Sequence, residues 1–201
     1  MHPTAIVVIN GDDVYEDLFT AVEELNVLLT DEGFATRTGM GMARFVDPVA
    51  EDLVVLYTAM GEFTGEQREG LRRAVDAGTG LLAIHSTNVG GDERLIGSRY
   101  VSHGPPPHET TFTVELGDHE ITRGLKPFEI THEHYEVATT DDVEVLAWRG
   151  SQPLVHVRVQ GRGRVCYVQL GHDRRAWAHP DVRTLVRQAA RWTGREVARC
   201  A

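Results

Sequence analysis

Hydrophobic and polar positions follow two alternating patterns in the first half of the chain. Short strand patterns, most of them apolar throughout, occur at 5–9, 34–38, 53–57 and 81–84. Between them, residues 17–32 and 64–77 have apolar side chains at the spacing of a helix buried on one face, with a capping-box signature at Thr64 and Gln67. Strand–helix alternation with right-handed crossovers predicts a parallel sheet with helices on both faces.

The second half has a different pattern. Shorter runs, several of which alternate apolar and polar residues, lie at 109–116, 143–148, 153–159 and 164–170. These runs predict antiparallel or edge strands added to the sheet, with a hairpin turn at 161–163. A last amphipathic helix begins at Pro180 and ends at Gly194. The 201 residues show neither a repeat nor a linker, so we expect a single domain over residues 1–201.

Candidate chemistry lies where apolar strands end. The run 81–84 leads directly into His85 and Ser86, and the run 165–170 leads into His172. Ligands of open α/β sheets bind beyond the carboxyl ends of the strands, where a nucleophile elbow would carry Ser or Cys. An imidazole there can bind a metal or transfer a proton. Asp12 follows the first strand and either bounds the pocket or caps the next helix.

A second cluster of polar groups surrounds Glu133. It lies between His132 and His134, which a strand would place on one face, and Tyr135 follows. His103 begins a proline-rich loop. Imidazole and carboxylate bind zinc and similar divalent metals and serve as general acids and bases near neutral pH. The alternative for 131–135 is a solvated strand or turn.

These residues give a set of candidate roles. The candidate catalytic residues are His85, Glu133 and His172. The candidate metal ligands are His85, His103, Glu133 and His172. The candidate substrate-binding residues are Ser86, His103, Tyr135 and Asp12.

Taken in order, the motifs resemble the trehalose-utilisation (ThuA-like) family over nearly the whole chain. The segments on which the resemblance rests are 80–85, the His-Glu-Ile-Thr-Arg-Gly-Leu stretch at 119–125, the Glu-His-Tyr at 133–135 and the strand at 163–172. Three features depart from the family pattern. His132 stands where the family has an acidic residue, Glu120 stands where it has proline, and the segment between His85 and His119 is short.

The resemblance implies a flavodoxin-like, class I glutamine amidotransferase-like three-layer sandwich with a mainly parallel sheet. It places His85 where amidotransferases have their cysteine, so glutamine hydrolysis through a thioester would lack its nucleophile. The family is associated with disaccharide catabolism, which implies a carbohydrate or keto-sugar substrate. Elimination, hydration, isomerisation or hydrolysis would fit, with zinc, manganese, iron or nickel as the metal and no nucleotide cofactor.

Two other function classes stay open at this stage. One is a non-catalytic module that binds a small molecule or a partner on the same fold. It would be favoured if His85, Glu133 and His172 did not approach one point. The other is a metal-independent hydrolase that uses Ser86 with His172.

Charge and composition narrow the partners. The formal net charge of -10 would repel polyanions, so nucleic acid is not expected as a partner. No apolar run approaches the roughly 18 residues of a membrane span, and no signal-peptide pattern opens the chain, so we expect a cytoplasmic protein. Cys166 and Cys200 do not form a disulfide framework, and Cys166 is expected in the core. A homo-oligomer is compatible with the sequence, although no motif supports one.

Overall fold

The structure, a computed structural model, describes residues 2–11, 14, 16–61 and 63–194. Asp12, a candidate pocket residue, and Cys200 lie outside the described residues. Among the residues described, no helix has the length and apolar character needed to cross a membrane.

Strands and helices alternate first, and strands dominate afterwards. The strands are β1 Thr4–Gly11, β2 Ala35–Met40, β3 Leu53–Ala59, β4 Gly80–Ile84, β5 Ser98–Ser102, β6 Glu109–Leu116, β7 Phe128–Glu133, β8 Glu136–Thr139, β9 Glu144–Arg149, β10 Gln152–Gln160 and β11 Gly163–Val168. The helices are α1 Leu18–Asp31, α2 Gly65–Asp76, α3 Glu93–Ile96, α4 Arg174–Ala178 and α5 Pro180–Thr193. Short 3₁₀ turns cover Ala43–Val46 and His85–Asn88.

A single nine-stranded sheet organises the molecule, in the order β2-β1-β3-β4-β11-β10-β9-β6-β7. In this order, the first five strands (β2, β1, β3, β4 and β11) are parallel to one another. Each later pair of neighbours (β11–β10, β10–β9, β9–β6 and β6–β7) is antiparallel. β5 and β8 form a separate antiparallel pair. The predicted α/β class, with a parallel sheet extended by antiparallel strands, is confirmed.

The prediction for one strand is only partly correct. The run 164–170 predicted an antiparallel or edge strand, but β11 lies in the middle of the sheet, parallel to β4 and antiparallel to β10. Val165, Cys166, Tyr167 and Val168 are all fully buried. A strand buried on both faces is continuously apolar, and this describes β11 better than the alternating pattern of an edge.

Helices cover both faces of the parallel half. On one face, Leu25 and Leu29 of α1 and Leu185 of α5 belong to the larger core cluster with Val7 and Val55. On the other face, Leu71 and Val75 of α2 pack with Ile6, Val8 and Val54 in a second cluster. The alternation of strand side chains between the two clusters produces the three layers.

The helix starts follow from local hydrogen bonding. The Thr64 hydroxyl accepts from the backbone N–H of Gln67 at 3.3 Å, and the Gln67 side chain accepts from the Thr64 N–H at 2.9 Å. This confirms the capping box at α2. At α1 the cap is Asp17, whose carboxylate accepts from the Thr20 N–H at 3.0 Å. The capping role considered for Asp12 therefore belongs to Asp17.

Candidate active site

Four side chains meet beyond the carboxyl ends of the parallel strands. His85 directly follows β4, Glu16 lies in the connection between β1 and α1, and His172 lies shortly after β11. Glu133 comes from the last residue of β7, at the antiparallel end of the sheet. One donor atom from each of the four lies within 4.8 Å of those of the other three. We call these four residues the acidic–imidazole cluster.

Each imidazole in the cluster faces both carboxylates. The His85 Nε2 lies 3.4 Å from Glu16 Oε1 and 3.3 Å from Glu133 Oε2. The His172 Nδ1 lies 3.0 Å from Glu16 Oε2 and 3.3 Å from Glu133 Oε2. Positive charge between two carboxylates this close would stabilise the ionised form of both. Two imidazolium protons or one divalent cation would supply it.

The fold fixes the orientation of His85. Its Nδ1 lies 2.5 Å from the Gln169 carbonyl, which can only accept, so Nδ1 carries the hydrogen and Nε2 faces the carboxylates. The backbone φ of +46° is in the left-handed region, as in a sharp strand-to-helix turn, and the Tyr167 hydroxyl donates to the His85 carbonyl at 2.9 Å. The ring is fully buried and stacks on Tyr135 with centroids 4.6 Å apart.

Glu16 is a buried carboxylate with several donors. Tyr57 donates to its Oε2 at 2.7 Å, and the Tyr135 hydroxyl lies 3.2 Å from its Oε1. Burial alone would raise the pKa of Glu16, but the charge of His85 and the hydrogen bonds from His172 and Tyr57 outweigh it and lower the pKa. Burial and the neighbouring Glu16 raise the pKa of Tyr57 well above its usual value, so Tyr57 remains a donor.

The charges of Glu133 and His172 are coupled. Burial alone would raise the pKa of Glu133, but a hydrogen bond to His85 and the charges of His172, His85 and His103 bring it down to about 2. Burial alone would lower the pKa of His172, but the Glu16 hydrogen bond and the Glu133 charge raise it. The site therefore favours an ionised carboxylate at Glu133 and a positive charge beside it.

The donor set suits a first-row divalent metal. Two carboxylate oxygens and two imidazole nitrogens are the ligand types of zinc, manganese, iron and nickel sites. The four donor atoms lie within 4.8 Å of one another, so these residues could hold such an ion together. The Gln169 carbonyl that holds His85 is the type of outer partner that orients metal-binding histidines.

The structure brings together three of the four residues predicted as ligands and adds a fourth that the sequence did not single out. His85, Glu133 and His172 converge, and Glu16 completes the group. His103 lies outside it, with its Nε2 3.5 Å from Glu133 Oε1 and its Nδ1 2.6 Å from the Tyr100 hydroxyl. The signal for Glu16 was the acidic stretch after the first strand, which predicted Asp12 as the pocket residue.

The other predicted residues lie close by. Tyr135 contacts the cluster, with its hydroxyl 2.9 Å from His85 Nε2. The Ser86 hydroxyl donates to the Thr58 carbonyl at 2.7 Å, and in the described part of the chain no hydrogen bond joins it to His172. The proposed Ser86–His172 pair is therefore absent from this arrangement.

His132 and His134 do not act as a pair. The His132 Nε2 accepts from the backbone N–H groups of Gly171 and His172 at 3.0 and 3.1 Å, and its Nδ1 donates to the Glu133 carbonyl. Burial and the charge of His85 lower the pKa of His132 to about 3, in keeping with a neutral ring. His134 is also buried, and its ring meets Phe112 edge-on. His132 thus ties β7 to the segment after β11.

A cavity of about 360 Å³ opens beside the cluster, within the size range of small-molecule sites. It includes every predicted substrate-binding residue that the structure describes. The lining residues are Glu16, Ala59, Met60, Ser86, Val89, Tyr100, His103, Glu133 and Tyr135.

The fold and this sheet-edge site define an α/β protein with a candidate metal site beyond the carboxyl ends of its parallel strands. A model of the ThuA family, described as trehalose utilisation, matches residues 5–193, and the chain belongs to that family. A search of curated proteins finds no match.

Solved structures show the same fold. A ThuA-like protein from Parabacteroides merdae is 16% identical, with a TM-score of 0.79 over 98% of this chain and 93% of its own. A ThuA-like protein from Bacteroides uniformis is 15% identical, with a TM-score of 0.77 over 95% and 91%. A β-galactosidase from Bacillus circulans is 14% identical, with a TM-score of 0.69 over 96% of this chain and 32% of its own.

Proposed function

We propose that this protein is an enzyme that acts on a carbohydrate or keto-sugar derivative with a divalent metal held by Glu16, His85, Glu133 and His172. The observation that carries the proposal is the convergence of two carboxylates and two imidazoles beside a ligand-sized cavity. The sugar class comes from the trehalose-utilisation family. Whether His85, Glu133 and His172 approach one point distinguishes an enzyme from a non-catalytic binding module. Their convergence favours the enzyme.

The reaction class follows from the groups at the site. A bound divalent metal would supply Lewis-acid polarisation of a substrate carbonyl or hydroxyl. Elimination, hydration or isomerisation next to a keto group needs such polarisation together with a proton acceptor and donor, and metal-assisted hydrolysis needs the same parts.

The chain's own residues divide these tasks. Glu16 and His85 are buried, and their hydrogen bonds to Tyr57 and Gln169 hold their orientation. His103 lines the cavity. Its Nδ1 is hydrogen-bonded to the Tyr100 hydroxyl, and its Nε2 lies beside Glu133. In this proposal His103 moves a proton to or from the substrate. Ser86, Tyr135 and the apolar lining position the substrate and exclude water.

Glutamine hydrolysis is not part of the proposal. His85 stands at the turn after β4, where the resemblance places the amidotransferase cysteine. Cys166 lies within β11, fully buried, and burial raises the pKa of its thiol. A buried, protonated thiol inside a strand is a poor nucleophile.

Metal analysis tests the first part of the proposal. Protein purified without tag or chelator is expected to contain near-stoichiometric zinc, manganese, iron or nickel by plasma mass spectrometry. His172→Ala is expected to lose it, because the variant removes a ligand whose side chain is 22% exposed and adds little to the core. His2→Ala, an exposed histidine before β1, is the control and should keep its metal. Equal metal in all three proteins would contradict the ligand assignment.

Hydrogen exchange tests the chemistry. Metal-loaded protein is incubated in deuterium oxide with a panel of ketoses and keto-glycosides, and proton NMR follows exchange at the carbon next to the carbonyl. Exchange that is lost in His172→Ala and kept in His2→Ala supports the enzyme. Metal binding without exchange, elimination or hydrolysis across the panel would favour the non-catalytic binding module.

A further inference from the structure

The cavity combines the polar cluster with an apolar contribution from three residues. Ala59, Met60 and Val89 belong to its lining, alongside hydroxyl, imidazole and carboxylate groups. Met60 is 66% exposed, so its side chain is accessible to a ligand in the cavity. A sugar has both kinds of surface, because its hydroxyl groups surround faces made of C–H bonds.

The fold holds Met60 in a strained conformation at this place. Its φ of +59° lies in the left-handed region, which is unfavourable for a non-glycine residue. Close contact between the ends of β1 and β3 fixes this backbone. A Cβ on Gly11 would lie 1.7 Å from the Ala59 carbonyl oxygen, and a Cβ on Gly61 would lie 2.7 Å from the Gly11 nitrogen. Residues held in such sparsely populated backbone conformations cluster at active sites and ligand contacts.

The charges around the cavity do not suit an anion. Among the described residues the lining includes two carboxylates and neither lysine nor arginine. Arg68, in α2, donates to the carbonyls of Phe63 and Gly90, and Arg99, next to Tyr100 in sequence, pairs with Glu93 at 3.6 Å. A divalent cation in the cluster would only balance Glu16 and Glu133. A phosphate would therefore lose its hydration without gaining a charged partner from these side chains.

From the cavity lining we propose that the site selects uncharged sugar derivatives over phosphorylated or carboxylated ones, and that Met60 determines this specificity. The Met60 side chain packs against the apolar face of the sugar or of its substituent, and the low cation content of the lining rejects the anion. This inference rests on the proposed function, because the sugar class comes from there.

Two probes that differ by one phosphate test the charge preference. The dissociation constants of trehalose and trehalose 6-phosphate are measured on the protein as purified, by ligand-observed NMR titration. Trehalose is expected to bind at least tenfold more tightly. Equal or tighter binding of trehalose 6-phosphate would overturn this inference and leave the proposed function standing. Binding of neither sugar would overturn this inference, and the exchange experiment on ketoses and keto-glycosides would still decide the proposed function.

Substitution of Met60 tests its role. Met60→Arg supplies the missing cation and is expected to shift the affinity ratio at least tenfold toward trehalose 6-phosphate. Met40→Arg is the matched control, because Met40 is 74% exposed at the end of β2 and does not line this cavity. Met60→Ala, a milder change, should weaken trehalose binding severalfold. Equal ratios in Met60→Arg and Met40→Arg, or unchanged trehalose binding in Met60→Ala, would overturn the assignment of Met60.

Discussion

The parallel and antiparallel halves of the sheet contribute different kinds of side chain to the site. From the parallel half come Glu16 and His85, whose side chains are 2% and 0% exposed. From beyond it come Glu133 and His103, whose side chains are 19% and 39% exposed. His172, which follows β11 in the parallel half, is 22% exposed, so that half supplies the two buried members of the cluster and one partly exposed member.

This difference follows from how each half is covered. β3 is buried at every residue because helices cover both of its faces, so its end and those of its neighbours are rigid. β7 is an edge strand in which buried and exposed residues alternate, and among the described residues it pairs only with β6. The site therefore joins a rigid wall to a more accessible one. We expect the rigid wall to hold the metal-binding geometry and the accessible wall to control substrate access.

The largest expected effect comes from removing the carboxylate that joins the two halves. Glu133→Gln keeps the shape of the side chain but removes its charge from contact with His85 and His172. We expect metal affinity to fall more than 100-fold, beyond the 10- to 100-fold typical of a lost outer partner. Competition with a chelating dye measures it.

The control for this change lies in the same strand. Glu129→Gln alters an exposed residue of β7 and should leave metal affinity within twofold of the unchanged protein. If Glu133→Gln behaved like Glu129→Gln, the antiparallel half would not contribute a ligand, and the comparison between the halves would fail.

A smaller effect is expected at His132, which ties the halves together without belonging to the cluster. His132→Leu leaves the backbone N–H groups of Gly171 and His172 without their acceptor, at a cost of about 1–3 kcal/mol in the free energy of unfolding. The released segment carries His172, so metal affinity should fall 10- to 100-fold. His132→Gln restores an acceptor and should recover most of both losses. Loss of stability with unchanged metal affinity would show that His132 supports the fold but does not position His172.

The smallest effect concerns His156, buried between the halves beside Tyr167 of β11. Burial lowers its pKa to about 4, against about 6.5 in an unfolded chain. Below pH 6.5 the unfolded chain binds a proton that the folded protein does not, so stability falls as the pH drops from 6.5 toward 4. The loss should reach about 1 kcal/mol by pH 5.5.

Denaturant unfolding of the unchanged protein and of His156→Leu between pH 5 and pH 7.5 isolates this contribution, because other titrating groups are common to both proteins. The difference in unfolding free energy should change by about 1 kcal/mol between pH 7.5 and 5.5. Parallel curves would show that His156 does not titrate differently in the folded and unfolded states.

Much of the parallel half could be predicted from local pattern. The predicted strand at 53–57 and helix at 64–77 correspond to β3 and α2, because a buried strand and a capped helix leave strong signals over a few residues. β5 and β8 were not predicted as strands, and β7 was considered only in part, as a strand or turn at 131–135. They are four to six residues long, and the separate β5–β8 pair and the edge strand β7 alternate in burial. Short partly exposed strands depend on their partners more than on their own sequence.

For the site, the individual residues were easier to predict than the contacts between them. His85 and His172 stood out because each ends an apolar strand, and Glu133 stood out among imidazoles. Glu16 carried only the weak signal of an acidic stretch. Asp17, in the same stretch, caps α1, so helix capping explains these acidic residues as well as a binding site does. The exclusion of His103 from the cluster depends on the Tyr100 contact and on the path of β5, which no local pattern reveals.

The sequence by itself determined the alternation that builds the parallel sheet, the family, and the imidazole at the tip of β4, since each is set by neighbours within a few positions. Tertiary structure alone decided that Glu16 and Glu133, 117 positions apart along the chain, face the same two imidazoles. It also decided that His132 is neutral and joins β7 to the segment after β11, and that the Met60 side chain is exposed at the cavity. Each of these depends on contacts between strands that are distant in sequence, and the free energy of such contacts exists only once the sheet has assembled.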